Sequence, residues 1–297
     1  MTKIETALTI GNITIDHNLL NQNEFVGPGG PPIFCAKILM NLGIEVTILS
    51  PRGKDFPIQS LNGTTLYPPE PTGDSTLLFH NNYTQHGRDQ SINLGDAWQM
   101  PDLGKLKETI PFDPDIIMIT PILDNISADY LRKVKELFPE NLLTLSPQGF
   151  FRKIDDQGNV SIKDWEFADE ILPIFDLVFL SEKDAMDADD KAISWSKKGP
   201  VVVVTRAEKG CTVYNQGEML NVQAFTVNDI IDATGAGDVF SAAFCYAYSK
   251  TKDSGESAVF ANATAGMSLK YRSNELEFRY SDIAEFAKEQ GTLINIK

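Results

Sequence analysis

The sequence predicts an α/β fold with a mostly parallel central sheet, because strand-length apolar runs alternate with amphipathic helical patterns from residue 115 onward. A second observation is a glycine-rich loop that leads directly into a long apolar segment near residue 235. In sheets of this kind, ligands bind beyond the carboxyl ends of the strands. The alternating strands and helix are predicted at residues 116–120, 128–138, 142–145, 177–180 and 201–205.

The remaining elements follow from local patterns. Residues 7–16 alternate and are rich in β-branched side chains, which predicts one strand that ends at Asp16. Residues 33–43 follow two prolines and end at a glycine, which predicts a helix. The pair Asn81-Asn82 is turn-prone and predicts a hairpin turn. Further predictions are a strand at 44–50, a hairpin at 211–214 and 218–225, and helices to about 250 and at 257–266.

Composition narrows the possible functions. The 297 residues are 42% hydrophobic and 23% charged, as expected for one large globular unit. A formal charge of −15 opposes binding to nucleic acid or anionic lipid. No apolar run approaches the length of a membrane span, and the amino terminus lacks the features of a secretory signal, so we expect a cytoplasmic protein.

The cysteines and histidines predict neither disulfides nor a metal centre. Cys35, Cys211 and Cys245 are odd in number, widely spaced and set among apolar neighbours, which predicts reduced thiols in the core. The three histidines do not have the spacing of zinc ligands.

The glycine-rich loop has the features of an anion site. Gly235 and Gly237 have no Cβ to block a close ligand, so the amides of Gly235, Ala236 and Gly237 can point together at the positive end of a helix dipole. Asp238 follows, and a carboxylate beside an anion site suits a base that takes the proton from an attacking hydroxyl. The alternative is that Asp238 only caps the helix.

The longer string, residues 232–238 with the sequence DATGAGD, closely resembles the C-terminal signature of the PfkB/ribokinase family of small-molecule kinases. Only Ala233 departs from the usual pattern, which has Thr there. The resemblance implies that Asp238 is the catalytic base and that the Gly235, Ala236 and Gly237 amides form the anion hole. It also implies ATP and Mg²⁺ as cofactors, with a monovalent cation near Asp232.

The resemblance further implies a ribokinase-like three-layer sandwich, with a mostly parallel sheet and a small β-sheet lid over the substrate. The whole chain, 1–297, would form a single PfkB-type domain, with the lid inserted from about 17–27 and 73–95. In this family the lid is often the contact of a homodimer, so a dimer through the lid is the expected assembly.

Two further matches concern the phosphoryl acceptor. In the family the first strand ends in an Asp that hydrogen-bonds substrate hydroxyls, which Asp16 matches, and a Gly-Gly pair lines the pocket, which Gly29 and Gly30 match. A carboxylate that accepts two hydroxyl donors is a sensible clamp for a polyol. The loop then departs from ribokinase at residues 31–34, PPIF, where polar substrate contacts are replaced, which argues against ribose.

Arg152 and Asp184 follow predicted strands and are candidates for the phosphate side. Arg152 ends the string PQGFFR and would bind the substrate or the transferring phosphate, or else lie as a solvated surface charge. Ser181 and Asp184 occupy the place of the family's Asn-x-x-Glu motif, which helps to order magnesium. Asp184 keeps the carboxylate with a shorter reach, and we expect it to contact the metal through water.

The nucleotide side is represented by a string after the strand at 201–205. Thr205 and Gly210 match the family's Thr-x-Gly-x-x-Gly string, whereas Ala207 replaces its first glycine. Asn262 lies in a small-residue helix that in the family is beside the adenine. Packing of that helix on its neighbour is an equally good explanation for the small residues.

Together these features predict ATP-dependent phosphoryl transfer to a hydroxyl of a sugar or polyol. A nucleoside or inositol kinase, and a non-catalytic sugar or nucleotide sensor on the same fold, are the alternatives. A dinucleotide oxidoreductase would need a Gly-x-Gly-x-x-Gly string after the first strand, and a Walker-type NTPase would need Gly-Lys-Ser/Thr; the sequence has neither.

Overall fold

The structure is a computed structural model, and it describes residues 4–20, 23–61, 63–84, 87–106, 110, 113–155, 157–273 and 275–296. No helix within these ranges combines the length and apolar character needed to cross a lipid bilayer. His86 was one of the three histidines considered as metal ligands, and it lies outside the described residues.

The described residues form fifteen strands and seven α-helices. The strands are β1 Thr6–Ile10, β2 Thr14–Leu20, β3 Asn23–Gly29, β4 Glu45–Leu49, β5 Thr65–Tyr67, β6 Leu78–Thr84, β7 Gly87–Asn93, β8 Ile116–Ile119, β9 Leu142–Leu145, β10 Arg152–Ile154, β11 Val160–Ile162, β12 Leu177–Ser181, β13 Val201–Thr205, β14 Cys211–Asn215 and β15 Glu218–Val222. The helices are α1 Pro31–Asn41, α2 Ala128–Leu137, α3 Ala168–Ile171, α4 Ala188–Ser196, α5 Ala236–Thr251, α6 Ser254–Ser268 and α7 Tyr280–Glu289.

Nine strands form the central sheet, in the order β15-β14-β13-β12-β9-β8-β1-β4-β5. Every neighbouring pair from β13 to β5 is parallel, and only the β13-β14-β15 edge is antiparallel. The predicted mostly parallel α/β sheet is therefore confirmed. Its parallel strands place their carboxyl ends at one edge, where the candidate site lies.

Apolar cores on the two faces of the sheet make three layers. One face packs against α1, α5, α6 and α7. The other face packs against α2, α3 and α4. The three cysteines are free and buried, as predicted.

The predicted strand over residues 7–16 is wrong, because the chain leaves the sheet at Gly11. β1 ends at Ile10 in the central sheet, and Asp16 lies in β2, which belongs to a different sheet. A side chain at Gly11 would collide with the carbonyl oxygen of Thr120, so the chain passes too close to β8 for any other residue.

The second sheet has four strands in the order β3-β2-β6-β7, and it forms the small lid. The predicted turn at Asn81-Asn82 is wrong, since both residues lie inside β6. Phe79 and Ile92 of this sheet pack against Ile122 and Leu123, which follow β8. One face of the lid therefore rests on the edge of the central sheet where the parallel strands end.

Candidate active site

The loop before α5 presents backbone donors at the start of the helix. Gly235 has the left-handed backbone angle φ 75° that favours glycine, and the helix begins at Ala236. Ala236 N–H donates to the carbonyl of Ala233 at 3.3 Å, which uses one of the three predicted anion-hole donors. Among the described residues, no carbonyl accepts from the N–H groups of Gly235 and Gly237. Two donors therefore remain at the positive end of the α5 dipole.

Asp232 holds this loop in shape. One carboxylate oxygen accepts from Thr234 N at 2.8 Å, and the other accepts from Ser273 N at 3.0 Å. Because both oxygens take backbone donors, Asp232 fixes the approach of the loop to the helix. It also ties the loop to the segment that follows α6.

Asp238 lies in the first turn of α5 and is half-buried. Beneath it, the Cys35 thiol of α1 lies 3.6 Å from the Asp238 carbonyl oxygen. Complete burial, followed by the nearby charge of Asp238, raises the pKa of the Cys35 thiol well above its usual value. Cys35 is therefore a neutral packing group under the acid, and it does not compete for the role of base.

Helix α1 connects this loop to the lid. Phe34 packs so closely on Gly235 that a side chain at position 235 would collide with its ring. Gly30 precedes α1 with φ 92°, and it lies four residues before Phe34. Four helical residues span about 6 Å, so one turn of α1 separates the two glycine loops.

Asp16 and Gly29 lie against one another on the lid side of the site. The Asp16 carboxylate is buried and occupies the space that a side chain at position 29 would need. Thr14 donates its hydroxyl to the carboxylate at 2.6 Å. A side chain at Gly30 would meet the Asn12 carbonyl, so both glycines are required by close approach.

The start of α1 differs from the start of α5 in its hydrogen-bonding capacity. Pro31 and Pro32 occupy the first two helical positions and have no N–H to donate. The next amide, that of Ile33, donates to the Gly30 carbonyl at 3.1 Å. This helix start is apolar, and it offers no cluster of donors to an anion.

Arg152 and Asp184 follow β9 and β12 along the chain, and the positive charge of Arg152 acts on the Asp184 carboxyl. The Asp184 carboxylate accepts from Ser181 N at 2.8 Å, and the Arg152 guanidinium donates to the carbonyl of Ile122 at 3.2 Å. Burial raises the pKa of Asp184, while the Ser181 amide, the charge of Arg152 and a hydrogen bond from Gln148 act in the opposite direction. Sequence reasoning named Arg152 and Asp184 separately and did not predict this interaction.

The loop after β13 is shaped by Ala207 and Gly210. Ala207 stands where the family pattern has glycine, and it adopts the left-handed angle φ 49°. Gly210 has φ 91°, and a side chain there would collide with the Val222 carbonyl. Thr205 donates its hydroxyl to the Leu180 carbonyl at 3.2 Å, which joins the ends of β12 and β13.

Asn262 is buried in α6, and its amide nitrogen is already engaged by the protein. It donates to the carbonyls of Val222 and Gln223 at 3.3 and 3.1 Å, and it lies 3.8 Å from the Cys211 sulfur. These bonds fix the chain just after β15 on α6. The Asn262 amide nitrogen therefore holds the end of β15 on α6, and a contact of Asn262 with the nucleotide stays a prediction.

Among the described residues, no group of three or more His, Cys, Asp or Glu side chains has the geometry of a metal site. A role for Asp184 toward a metal would accordingly be that of one carboxylate contacting the ion through water. Mg²⁺ commonly keeps several waters and is bound by one or two carboxylates plus substrate phosphates, which suits this donor set.

Comparison with known proteins agrees with the fold and the signature loop. The pfkB family carbohydrate kinase profile matches residues 159–276, which include the loop before α5. A cytidine kinase from Thermococcus kodakarensis is 25% identical over 264 residues, which span 82% of this chain and 88% of the relative.

Solved structures give the same fold at lower identity. A pyrophosphate-dependent myo-inositol-1 kinase converted into a myo-inositol-3 kinase has a TM-score of 0.75 at 16% identity, over 96% of this chain and 100% of that one. An Arabidopsis thaliana ribokinase complexed with ribose and ATP has a TM-score of 0.71 at 16% identity, over 96% of this chain and 99% of that one. The predicted ribokinase-like fold is confirmed.

Proposed function

We propose that the chain is a kinase of the PfkB/ribokinase family and that it transfers the γ-phosphoryl group of ATP to a hydroxyl of a sugar or polyol. The observation that carries the proposal is the start of α5. Two backbone N–H groups that no described carbonyl accepts from, those of Gly235 and Gly237, stand beside the half-buried carboxylate of Asp238.

Asp238 is proposed as the base. A carboxylate in the first turn of α5 is close to the Gly235 and Gly237 donors, so a phosphoryl group held by those donors would place the attacking hydroxyl beside it. As the bond from the hydroxyl oxygen to phosphorus forms and the bond from phosphorus to the ADP oxygen breaks, the hydroxyl proton passes to Asp238. The buried Cys35 thiol contacts the backbone carbonyl of Asp238 and packs the base of this helical turn.

The anion hole is proposed at α5 and not at α1. Negative charge develops on the transferring group and the leaving oxygen, and backbone donors fixed before the reaction stabilise it without reorganisation. The start of α5 supplies such donors, whereas Pro31 and Pro32 remove them from the start of α1. The Phe34 ring packs against Gly235 and leaves no room for a side chain at that position.

Arg152 and Asp184 are proposed to act on the phosphate side. A planar guanidinium suits phosphate oxygens, and the charge of Arg152 acts on Asp184, the carboxylate at the Asn-x-x-Glu position. When bound, Mg²⁺ would neutralise charge on the donor phosphates, with Asp184 reaching it through water. On the proposed nucleotide side, Thr205 joins the ends of β12 and β13, and Gly210 lets the following loop pass close to β15. Asn262 holds the chain after β15 on α6 by its bond to the Gln223 carbonyl.

The acceptor is proposed to lie between the lid and α1. The Asp16 carboxylate accepts from the Thr14 hydroxyl, and a carboxylate is a group that can accept hydrogen bonds from substrate hydroxyls as well. Gly29 and Gly30 allow the acceptor to approach the backbone closely. The site is thus divided into an acceptor half at the lid and an anion half at α5, joined by one turn of α1.

The test is ADP release from ATP and Mg²⁺ with a panel of sugars, polyols and nucleosides, including myo-inositol, fructose, ribose and cytidine. Acceptor-dependent ADP release upholds the proposal. The competing proposal, a non-catalytic sensor on the same fold, predicts saturable binding of one of these compounds without ADP release. A second donor arm with pyrophosphate separates the choice of phosphoryl donor from the choice of acceptor.

A further inference from the structure

Arg206 is the residue directly after β13, and its side chain reaches the loop that follows β12. That loop runs from Glu182 to the start of α4, and it carries Asp184, the proposed contact to magnesium. The Arg206 side chain is 19% exposed, so it is largely held inside the protein. Arg206 is therefore in position to fix a loop of the proposed site.

The Arg206 guanidinium binds two carboxylates that flank Asp184 in the chain. Its Nη1 pairs with Glu182 at 3.5 Å, on the β12 side of Asp184. Its Nη2 donates to the carboxylate of Asp189, which lies in the first turn of α4. Because the guanidinium is planar and presents its donors in fixed directions, it can hold both carboxylates in a defined geometry. The segment 182–189 is therefore fixed at its two ends.

Strands β14 and β15 hold the guanidinium from the side of the central sheet. Arg206 Nε donates to the Thr212 hydroxyl at 3.1 Å, and this hydroxyl donates to the side-chain carbonyl of Asn221 at 2.7 Å. Tyr214 is buried and donates its hydroxyl to the Asp189 oxygen that also accepts from Arg206. These side chains tie the segment 182–189 to the sheet. We call this set the Arg206 network: Arg206, Glu182, Asp189, Thr212 and Tyr214.

The backbone attaches the beginning of the same segment to β13. Glu182 N–H donates to the Thr205 carbonyl at 3.0 Å. Asp184 then folds back on the start of its own turn: its N–H donates to the Ser181 carbonyl at 3.0 Å, and its carboxylate accepts from the Ser181 N–H at 2.8 Å. The position of the Asp184 carboxylate is consequently set by this turn, and the turn depends on what fixes its ends.

A carboxylate that contacts a metal ion through water depends on the groups that orient it. Loss of such outer partners commonly costs about 10- to 100-fold in metal affinity. Asp184 has a shorter side chain than the glutamate of the family pattern, so its backbone decides more of its position. The groups that fix the segment 182–189 therefore bear directly on the contact between Asp184 and the ion.

We propose that Arg206 is a positioning residue, which holds the segment 182–189 so that the Asp184 carboxylate can contact Mg²⁺ through water. This inference rests on the kinase activity proposed above and extends it to a residue that acts through Asp184. The effect of Arg206 is then confined to nucleotide binding that depends on Mg²⁺.

A purely structural role for Arg206 gives a different expectation. Ion pairs at the edge of a sheet can stabilise the fold without any effect on a site. In that case the loss of Arg206 would lower the melting temperature and leave the effect of Mg²⁺ on ATP binding unchanged. The Mg²⁺ dependence of ATP binding is therefore the measurement that separates the two roles.

The experiment compares the unmodified protein with Arg206→Met, Arg206→Lys and Tyr214→Phe. The matched control is Lys198→Met, which breaks the ion pair of a 30% exposed side chain with Asp169 just after α4. Calorimetric titration measures the Kd for ATP with Mg²⁺ and, with a chelator, without it. Thermal unfolding is recorded in parallel, and the acceptor KM is measured for each active protein.

Mg²⁺ should tighten ATP binding in the unmodified protein. Arg206→Met should weaken binding of ATP with Mg²⁺ by about 10-fold and leave binding without Mg²⁺ and the acceptor KM unchanged. Arg206→Lys keeps the charge without the planar fork, and Tyr214→Phe removes one bond to Asp189, so both should show smaller losses in the same direction. Lys198→Met should match the unmodified protein.

Two results would overturn the inference. One is an equal loss of ATP affinity with and without Mg²⁺ in Arg206→Met, and the other is an unchanged Mg²⁺ dependence in both Arg206 variants. Where Arg206→Met impairs folding, Arg206→Lys and Tyr214→Phe decide between these results and the expected one.

A double-mutant cycle tests whether Arg206 acts through Asp184. Asp184→Asn should itself weaken binding of ATP with Mg²⁺. The double variant with Arg206→Met should bind no more weakly than Asp184→Asn alone, because residues that act as one unit are not additive. A loss in the double variant equal to the product of the two single losses overturns the inference.

Absence of ADP release with every acceptor would contradict the proposed kinase function, whereas the binding measurements need no acceptor and still decide this inference. A loss of ATP affinity in Arg206→Met that appears only with Mg²⁺ upholds it. Absence of ATP binding by the unmodified protein, or binding that Mg²⁺ does not strengthen, overturns it.

Discussion

Two glycine loops lead into helices at this site, the Gly30 loop into α1 and the Gly235 loop into α5, and they differ in whether their backbone can donate hydrogen bonds to an anion. Gly30 and Gly235 both have positive φ angles and precede their helices without a side-chain cap. After Gly30 come two prolines, which cannot donate, whereas after Gly235 come residues whose amides can donate. A helix start attracts an anion only when it has N–H groups to offer, so the dipole alone does not make a site.

The difference divides the chemistry between the loops. The α5 loop suits the phosphoryl group, with Asp238 as the proposed neighbouring base. The α1 loop suits the acceptor, with the Asp16 carboxylate packed against Gly29 beside it. Phe34 joins them, because it lies one helical turn beyond Gly30 and packs against Gly235.

The largest expected effect is that of Asp238→Asn, which removes the proposed base from the α5 half. Loss of general-base catalysis should lower kcat by about 10²- to 10⁴-fold, while ATP binding persists because the backbone donors are unchanged. Steady-state ADP release and calorimetric ATP titration measure the two effects. Asp229→Asn, at an exposed acidic residue nearby, is the control and should keep the parent rate. Near-parent turnover by Asp238→Asn would remove Asp238 from the role of base.

The next largest effect is expected from a comparison of the two glycines of the α5 loop, Gly235 and Gly237. Gly235→Ala forces a methyl group against the Phe34 ring at a left-handed backbone angle, which should lower the free energy of unfolding by about 2–4 kcal/mol. Turnover should fall with it, since the donors move. The matched variant Gly237→Ala adds a methyl group with no atom within 4 Å and should change stability by less than about 1 kcal/mol. Equal destabilisation of the two variants, measured by urea unfolding, would contradict the role of Phe34.

The smallest effect concerns the loop after β13. Ala207 has φ 49°, an angle that costs an L-residue with a side chain about 1–2 kcal/mol and glycine almost nothing. Ala207→Gly should therefore raise the free energy of unfolding by about 0.5 kcal/mol, after the larger entropy loss of glycine is subtracted. Chemical denaturation measures it, with Ala224→Gly, at a residue without a positive φ, as the control. A loss of stability in Ala207→Gly would show that the angle is not strained.

The parallel sheet was predictable because its strands are short, apolar and widely separated by helical patterns. The predicted bounds of β9 and β13 match the structure at both ends. Such strands are buried on both faces, so their composition alone identifies them. The signature loop at 232–238 was equally readable, since glycine and aspartate spacing there is local.

The wrong predictions of secondary structure fall at positions where contacts between distant residues, and not local sequence, determine the conformation. Alternation continues unbroken through residues 7–16, so nothing local marks the exit at Gly11, which follows from its contact with the Thr120 carbonyl. Asn81-Asn82 has turn composition but lies inside β6, where Asn81 bonds to Asn18 across the sheet. The electrostatic effect of Arg152 on Asp184 likewise depends on β9 and β12 being neighbours.

The most direct test of the divided site is an amide spectrum of glycine-labelled protein. A non-hydrolysable ATP analogue with Mg²⁺ should move the Gly235 and Gly237 amide signals most and leave Gly29 and Gly30 nearly unmoved. Addition of the best acceptor should then move Gly29 and Gly30. Movement of Gly29 and Gly30 by the ATP analogue, with Gly235 and Gly237 unchanged, would contradict the assignment of the phosphoryl group to the start of α5.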